Sequence, residues 1–204
     1  MPQQHRARVT REVILQAAAE EFDRVGYAGA PLSAILERGG LTKGAFYFHF
    51  SSKEALAEAL VRAQDEAWPS VRREWLARRL DPLRTLVGIV NEVVGLLARD
   101  VVLRAGMRLV EEESAAPVGL PVPAWDWQRV FEDLLDEAMR CGQLRADADP
   151  CEAARVLRGA VMGARVISTT TSGCAEYPAR MHEVWRYLLP GLAAPQWLAE
   201  WSSS

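Results

Sequence analysis

Apolar residues recur at helical spacing close to the start of the chain: Ile14, Ala17, Ala18, Phe22 and Val25 share one face of a 3.6-residue repeat that stops at Gly26. The pattern predicts a first helix over about residues 8–25, ended by Gly26 in a left-handed conformation. A periodic segment over 32–38, the pair Gly39-Gly40, and a second segment from Thr42 to His49 read as two brief helices joined by a glycine turn. Ser51 with Glu54 three residues on has the form of a capping box. Leu56, Leu60, Ala63, Ala67 and Val71 then continue an apolar stripe, so a long helix is expected over about 52–76. Asp81-Pro82 and Asp149-Pro150 each place a capping carboxylate before a proline that sacrifices no hydrogen bond at the first helical position. They open expected helices over about 82–99 and 150–170. Segments 101–112 and 124–141 read as helices around a Pro/Gly-interrupted loop at 114–123, and 178–190 as a last long helix. No stretch alternates with period two between hairpin turns, so the predicted fold class is all-α.

Composition narrows this only slightly. The chain of 204 residues is 50% hydrophobic and 25% charged, enough to fill a core and too apolar for disorder. The net charge of −3 gives no whole-molecule attraction for nucleic acid, so any such binding needs a local patch. Residues 1–53 hold seven Lys/Arg against five Asp/Glu, or +2, whereas 54–204 hold 17 against 22, or −5. The three cysteines, Cys141, Cys151 and Cys174, lack metal-type spacing and read as reduced thiols. No apolar run approaches the ~18 residues of a membrane helix, and no signal-type segment follows Arg6 and Arg8. A cytoplasmic protein with no membrane association is expected. No Ser/His/Asp grouping, phosphate loop or metal spacing occurs, so no enzyme activity and no cofactor are expected.

The basic N-terminal third is where chemistry concentrates. Helix, glycine turn and second short helix over 32–50 have the plan of a helix-turn-helix, with Thr42 capping the second helix. The first turn, Lys43-Gly44-Ala45, sets a long cation beside two small residues, so the helix end can approach base edges in a major groove; Lys43 is the candidate for base contact. Tyr47, His49 and Lys53 supply donors of the kind that hold phosphates, and the helix N-termini at Ser33 and Thr42 add backbone N–H groups. Phe46 and Phe50 read as core. In the long helix Gln64 lies on or near the apolar stripe beside Ala63, Ala67 and Trp68, where a buried amide needs a partner, either a ligand or a neighbouring side chain. Trp127, Phe131, Leu134 and Ala138 share a face of a later helix. The small residues Ala153, Ala160, Gly163 and Ala164 permit close helix approach, within the chain or between two chains.

Residues 8–60, above all Leu41-Thr-Lys-Gly-Ala-Phe-Tyr-Phe-His-Phe-Ser-Ser-Lys-Glu-Ala-Leu56, resemble the TetR-type repressor family. Val102-Leu-Arg-Ala-Gly-Met-Arg-Leu-Val110, Trp125-Asp-Trp127 and Gly163-Ala-Arg-Val166 resemble its gamma-butyrolactone receptor branch. The resemblance implies a three-helix helix-turn-helix domain over 1–51 and a larger helical ligand-binding and dimerisation domain over 52–204. It implies a homodimer that binds a pseudo-palindromic operator and is released by a small hydrophobic signal of lactone, butenolide or furan type, controlling antibiotic or other secondary-metabolite genes. It also implies that Trp127 lines the signal pocket and that Gln64 bonds the ligand. The candidate ligand-facing set is Gln64, Trp68, Leu86, Val90, Val110, Trp127, Phe131, Val161 and Ala164. Two departures stand out. Pro31 replaces a threonine that caps the second helix in many members, a role Ser33 is expected to take in part. Ala164 replaces the threonine of a Gly-Thr-Arg sequence, which leaves the ligand open between a lactone-type signal and another drug or antibiotic intermediate. A helical carrier or enzyme is the alternative of another class.

Overall fold

The apolar stripes are realised as helices throughout the residues described by the computed structural model, which are 2–111, 120 and 125–202. In chain order they are α1 (Pro2–Gly29), α2 (Leu32–Arg38), α3 (Lys43–His49), α4 (Lys53–Ala77), α5 (Pro82–Arg99), α6 (Val101–Glu111), α7 (Trp127–Arg140), α8 (Pro150–Ser172), α9 (Tyr177–Leu192) and α10 (Pro195–Trp201). Among the described residues no strand forms; an isolated antiparallel bridge pairs Leu144 with Ala193. The expected loop at 114–123 lies, Leu120 apart, outside the described residues.

Caps decide the boundaries. Gly26 has φ 75° and ψ 171°, a conformation that side chains with a Cβ avoid, so the regular part of α1 ends where the pattern stopped. Asp81 and Asp149 cap α5 and α8, accepting from Arg84 N at 2.8 Å and Glu152 N at 2.9 Å. Two expectations need correction. The cap of α4 is Ser52, not Ser51: Ser52 Oγ accepts from Ala55 N at 3.2 Å, while Glu54 accepts from Tyr27 Oη at 2.9 Å rather than closing a capping box. α7 starts at Trp127, later than expected, because Asp126 takes the cap position and accepts from Gln128 N at 3.0 Å and Arg129 N at 3.3 Å.

The chain divides into two compact units, the boundary falling inside α4. The first comprises Met1–Trp68 and Asp100–Ala124. Ile14, Phe22, Ile35, Phe46, Leu56 and Leu60 form its core, and α6 adds Ala105 and Leu109. A helix distant in sequence thus belongs to the helix-turn-helix body. α6 is fastened to α1 by Arg104 Nε donating to Asp23 Oδ2 at 2.9 Å and by Arg108 donating to the Asp23 carbonyl. The second unit comprises Pro69–Arg99 and Trp125–Ser204. There α5 packs against α7 and α9, and α8 against both of these. Leu83, Leu86, Ile89, Leu135, Leu157 and Met181 are fully buried. Trp185 Nε1 donates to Asn91 Oδ1 at 2.8 Å and Trp197 Nε1 to Asp81 Oδ1 at 3.0 Å, so the polar edge of each buried indole is satisfied. Within the last helix Trp197 and Trp201 stack with centroids 5.1 Å apart, and the Trp197 bond to Asp81 ties that helix to α5.

Candidate DNA-binding helix and ligand-facing residues

α2 and α3 stand as the sequence placed them, with the turn between them at Gly39 and Gly40, the latter at φ +62°. Thr42 Oγ1 accepts from Ala45 N at 3.1 Å and caps α3. α2 has no side-chain cap: Pro31 occupies the cap position, and Ser33 is exposed and does not replace the missing hydroxyl. The Pro31 carbonyl still receives Ala34 N at 3.1 Å and Ile35 N at 3.4 Å, so the backbone alone closes that turn.

The faces of α3 are sharply divided. Phe46 is fully buried and Phe50, just past the helix, is nearly so, and they stack with centroids 6.2 Å apart. Lys43, Gly44 and Tyr47 are exposed, Ala45 and His49 half-buried. Phe48, which the sequence left undecided, is 77% exposed and meets the His49 ring edge-on at 4.9 Å. Lys53 has a second employment: its Nζ donates to the Tyr27 carbonyl at 2.6 Å and lies 4.1 Å from the Tyr27 ring centroid. Burial there pushes the ammonium below its usual pKa. An ammonium has three donors, so one bond to Tyr27 leaves capacity for a phosphate. Burial, together with the bond to Glu54, raises the Tyr27 phenol to about 12, so it remains a donor at any physiological pH. Arg11 lies 5.1 Å over the Phe50 ring.

Gln64, Trp68 and Val110 belong to the first unit. Gln64 and Trp68 are almost completely buried, and Trp68 Nε1 donates to Gln64 Oε1 at 2.7 Å, so the amide oxygen has the neighbouring side chain as partner. Val110 is half-buried. Leu86, Val90, Trp127, Phe131, Val161 and Ala164 belong to the second unit. Leu86, Val90 and Phe131 are buried, and Trp127 and Val161 half-buried. The rings of Trp125, Trp127 and Phe131 form a chain with centroids 5.6 and 5.9 Å apart. Trp125 was not among the expected residues, although its place two positions before Trp127 was visible. Val161 presents its carbonyl to Tyr177 Oη at 3.1 Å. Ala164 lines an open groove of about 570 Å³ on α8 and α9, together with Ala160, Gly163, Ile167, Arg180, Glu183, Val184, Tyr187 and Leu188. Among the described residues no helix is long and apolar enough to cross a membrane, and no cluster of metal-ligating side chains forms.

An all-helical body with a capped recognition helix and a separate helical unit defines a helix-turn-helix regulator. Comparison with known proteins agrees. Residues 14–60 match the family described as bacterial regulatory proteins, tetR family, and residues 81–194 match the tetracyclin repressor-like C-terminal domain. The A-factor receptor protein of Streptomyces griseus is 35% identical over 195 residues, covering 96% of this chain and 68% of that protein. A crystal structure of a gamma-butyrolactone receptor (ArpA-like protein) has a TM-score of 0.81 at 30% identity, covering 97% of this chain and 95% of that one. CprB from Streptomyces coelicolor, solved with its biological operator sequence, has a TM-score of 0.83 at 33% identity and the same coverage of 97% and 95%. The chain belongs to the TetR family of bacterial transcriptional regulators, and its similarity lies in the gamma-butyrolactone receptor branch.

Proposed function

We propose that this protein is a cytoplasmic, non-enzymatic homodimeric repressor of secondary-metabolite genes. It binds a pseudo-palindromic operator through two copies of α3 and is released by a small hydrophobic autoregulator of gamma-butyrolactone, butenolide or furan type. The observation that carries the reading is the division of α3: aromatic core on one side, and Lys43, Gly44 and Tyr47 exposed on the other. Residues 1–51 serve DNA binding and 52–204 ligand binding and dimerisation. Lys43 reads a base edge, the backbone at Thr42, Gly44 and Ala45 admits close approach, and Ser33, Tyr47, His49 and Lys53 hold phosphates. The similarity to CprB, solved on its operator, and to a gamma-butyrolactone receptor supports both halves of the reading.

Gln64, Trp68, Leu86, Val90, Val110, Trp127, Phe131, Val161 and Ala164 are assigned to the ligand. Dimerisation is assigned to α8 and α9. Val156, Val166, Ile167 and Tyr187 are each at least half exposed, and a Cβ added at Gly159, Gly163 or Gly191 would meet nothing within 4 Å among the described residues. These glycines therefore serve no packing inside one copy. Because α4 carries Lys53 in its first turn and Gln64 and Trp68 further on, a ligand that favours one setting of α4 would alter the spacing of the recognition helices. Half-sites on one face of a duplex lie ~34–36 Å apart, so a mismatch weakens both contacts together.

Anisotropy titration of the palindrome upstream of the gene, with and without a butyrolactone or butenolide extract, tests the whole reading: binding reversed by the extract is expected, and absence of operator binding overturns it. Lys43→Ala is expected to lose ~1–3 kcal/mol of operator affinity and to relax preference at one base pair per half-site. An unchanged base preference in a set of operator variants removes Lys43 from readout. Trp127→Ala is expected to bind operator as wild type does while resisting release by the extract. Loss of both activities would make Trp127 a core residue instead.

A further inference from the structure

The outermost ridge of α3 carries no hydrogen-bonding side chain. Gly44 and Phe48 are four residues apart and stand one above the other on the side of the helix opposite buried Phe46. Lys43 and Tyr47 flank this ridge on one side, Ala45 and His49 on the other. Phe48 is 77% exposed, more than any other aromatic on α1 to α4. Its ring centroid lies 4.9 Å from that of His49 with the two planes nearly perpendicular, and most of the phenyl surface is open to solvent.

Gly44 is not required by the protein's own packing. Its backbone is ordinary helix, and among the described residues an added Cβ would meet only Thr42 Oγ1, at 3.9 Å. The missing side chain instead leaves an open step on the helix surface directly beside the Phe48 ring. A duplex seated against α3 would therefore meet an apolar plate next to a bare backbone, with the polar groups held to either side. Of the features that base pairs display in the major groove, the thymine C5-methyl is the apolar one.

Resting on the operator-binding reading above, we infer that Phe48 is a specificity-determining residue, its ring packing on a thymine C5-methyl in each half-site while Gly44 gives that base room. The contact buries an exposed phenyl ring and a methyl group at once, and it requires no hydrogen bond from the protein. It selects thymine because cytosine at the same position offers no methyl to fill the step.

The experiment uses the full-length protein. A binding duplex is selected from a random pool by the wild-type protein, and each dT is then replaced singly by deoxyuridine, which removes the methyl and leaves every hydrogen-bonding edge in place. At one symmetry-related position the wild type is expected to lose affinity by about fourfold per half-site, and by about fifteenfold when both are replaced, the value of one methyl group returned to water. Phe48→Ala is expected to bind the dT and deoxyuridine duplexes equally at that position, and Phe48→Leu, which keeps an apolar contact, to retain part of the difference. Wild-type indifference to deoxyuridine at every position overturns the inference, as does a Phe48→Ala protein that discriminates as wild type does. A wild-type protein that selects no sequence overturns the operator-binding reading itself, so the two failures are distinct.

Discussion

Removing both Arg24 and Arg38 is expected to destabilise the first unit, and by more than neutralising the carboxylate that the two arginines hold. The reason lies in Glu21, whose carboxylate is 1% exposed on the inner side of α1. It accepts from Arg24 at 2.5 and 3.4 Å and from Arg38 at 3.0 and 2.8 Å. Without the two guanidiniums a buried carboxylate has no cation, and its desolvation is uncompensated. Glu21→Gln should cost less, roughly 1–2 kcal/mol, because both arginines are partly exposed and water can take over their solvation. Urea melts of the three proteins test this ordering. A Glu21→Gln protein less stable than the double arginine variant would show that the arginines, not the carboxylate, are the group at risk.

The same cluster sets a pH dependence. The bond from Arg24, aided by Arg38 and opposed by burial, holds the Glu21 carboxyl below its usual value of 4.5. A depressed carboxylate pKa contributes stability that is present above the unfolded value and is lost as pH falls through the folded one. Stability of the wild type should therefore fall as pH drops below about 4.5, and Glu21→Gln should flatten that fall. Because Arg38 is the last residue of α2, the cluster also ties the end of α2 to α1.

Gly106→Val is the second large effect, expected to destabilise by about 2–4 kcal/mol and to disturb the surroundings of Gln64. A Cβ at Gly106 of α6 would collide with the Leu60 carbonyl of α4 and lie 2.9 Å from Gln64 Cγ. The Leu60 carbonyl is helix backbone and cannot turn aside, so α6 must move off α4. Thermal melts measure the first consequence. The second is read from Trp68, whose indole N–H is held by Gln64 at 2.7 Å: its fluorescence should shift towards that of an indole in a wetter site. A variant with wild-type stability and emission would show that α4 and α6 yield at this crossing without strain.

Local chemistry made the helices readable in advance. The aspartate caps at Asp81 and Asp149, the Thr42 cap of α3 and the stop at Gly26 each act within a few residues of the groups they satisfy, so they are written in adjacent letters. Where two adjacent serines offered the same chemistry, at Ser51 and Ser52, spacing could not choose, and the three-dimensional demand of Tyr27 on Glu54 did. The exposure of Phe48 was equally illegible. Three phenylalanines at alternate positions along α3 and its C-cap, Phe46, Phe48 and Phe50, present the same letter to opposite sides, and only packing in the core shows which ring is outside.

What the sequence by itself determined is the set of helices, the helix-turn-helix and the family, because periodicity, caps and a contiguous motif are short-range properties of the chain. Tertiary structure alone decided that α6 joins the DNA-binding body through Arg104 and Arg108 on Asp23, and that Lys53 is shared with Tyr27. These partners lie far apart in the chain, and long side chains carry no local mark of the group they will meet. Such pairings arise from which helix faces must be buried together, a constraint imposed by the whole core and not by any segment of it.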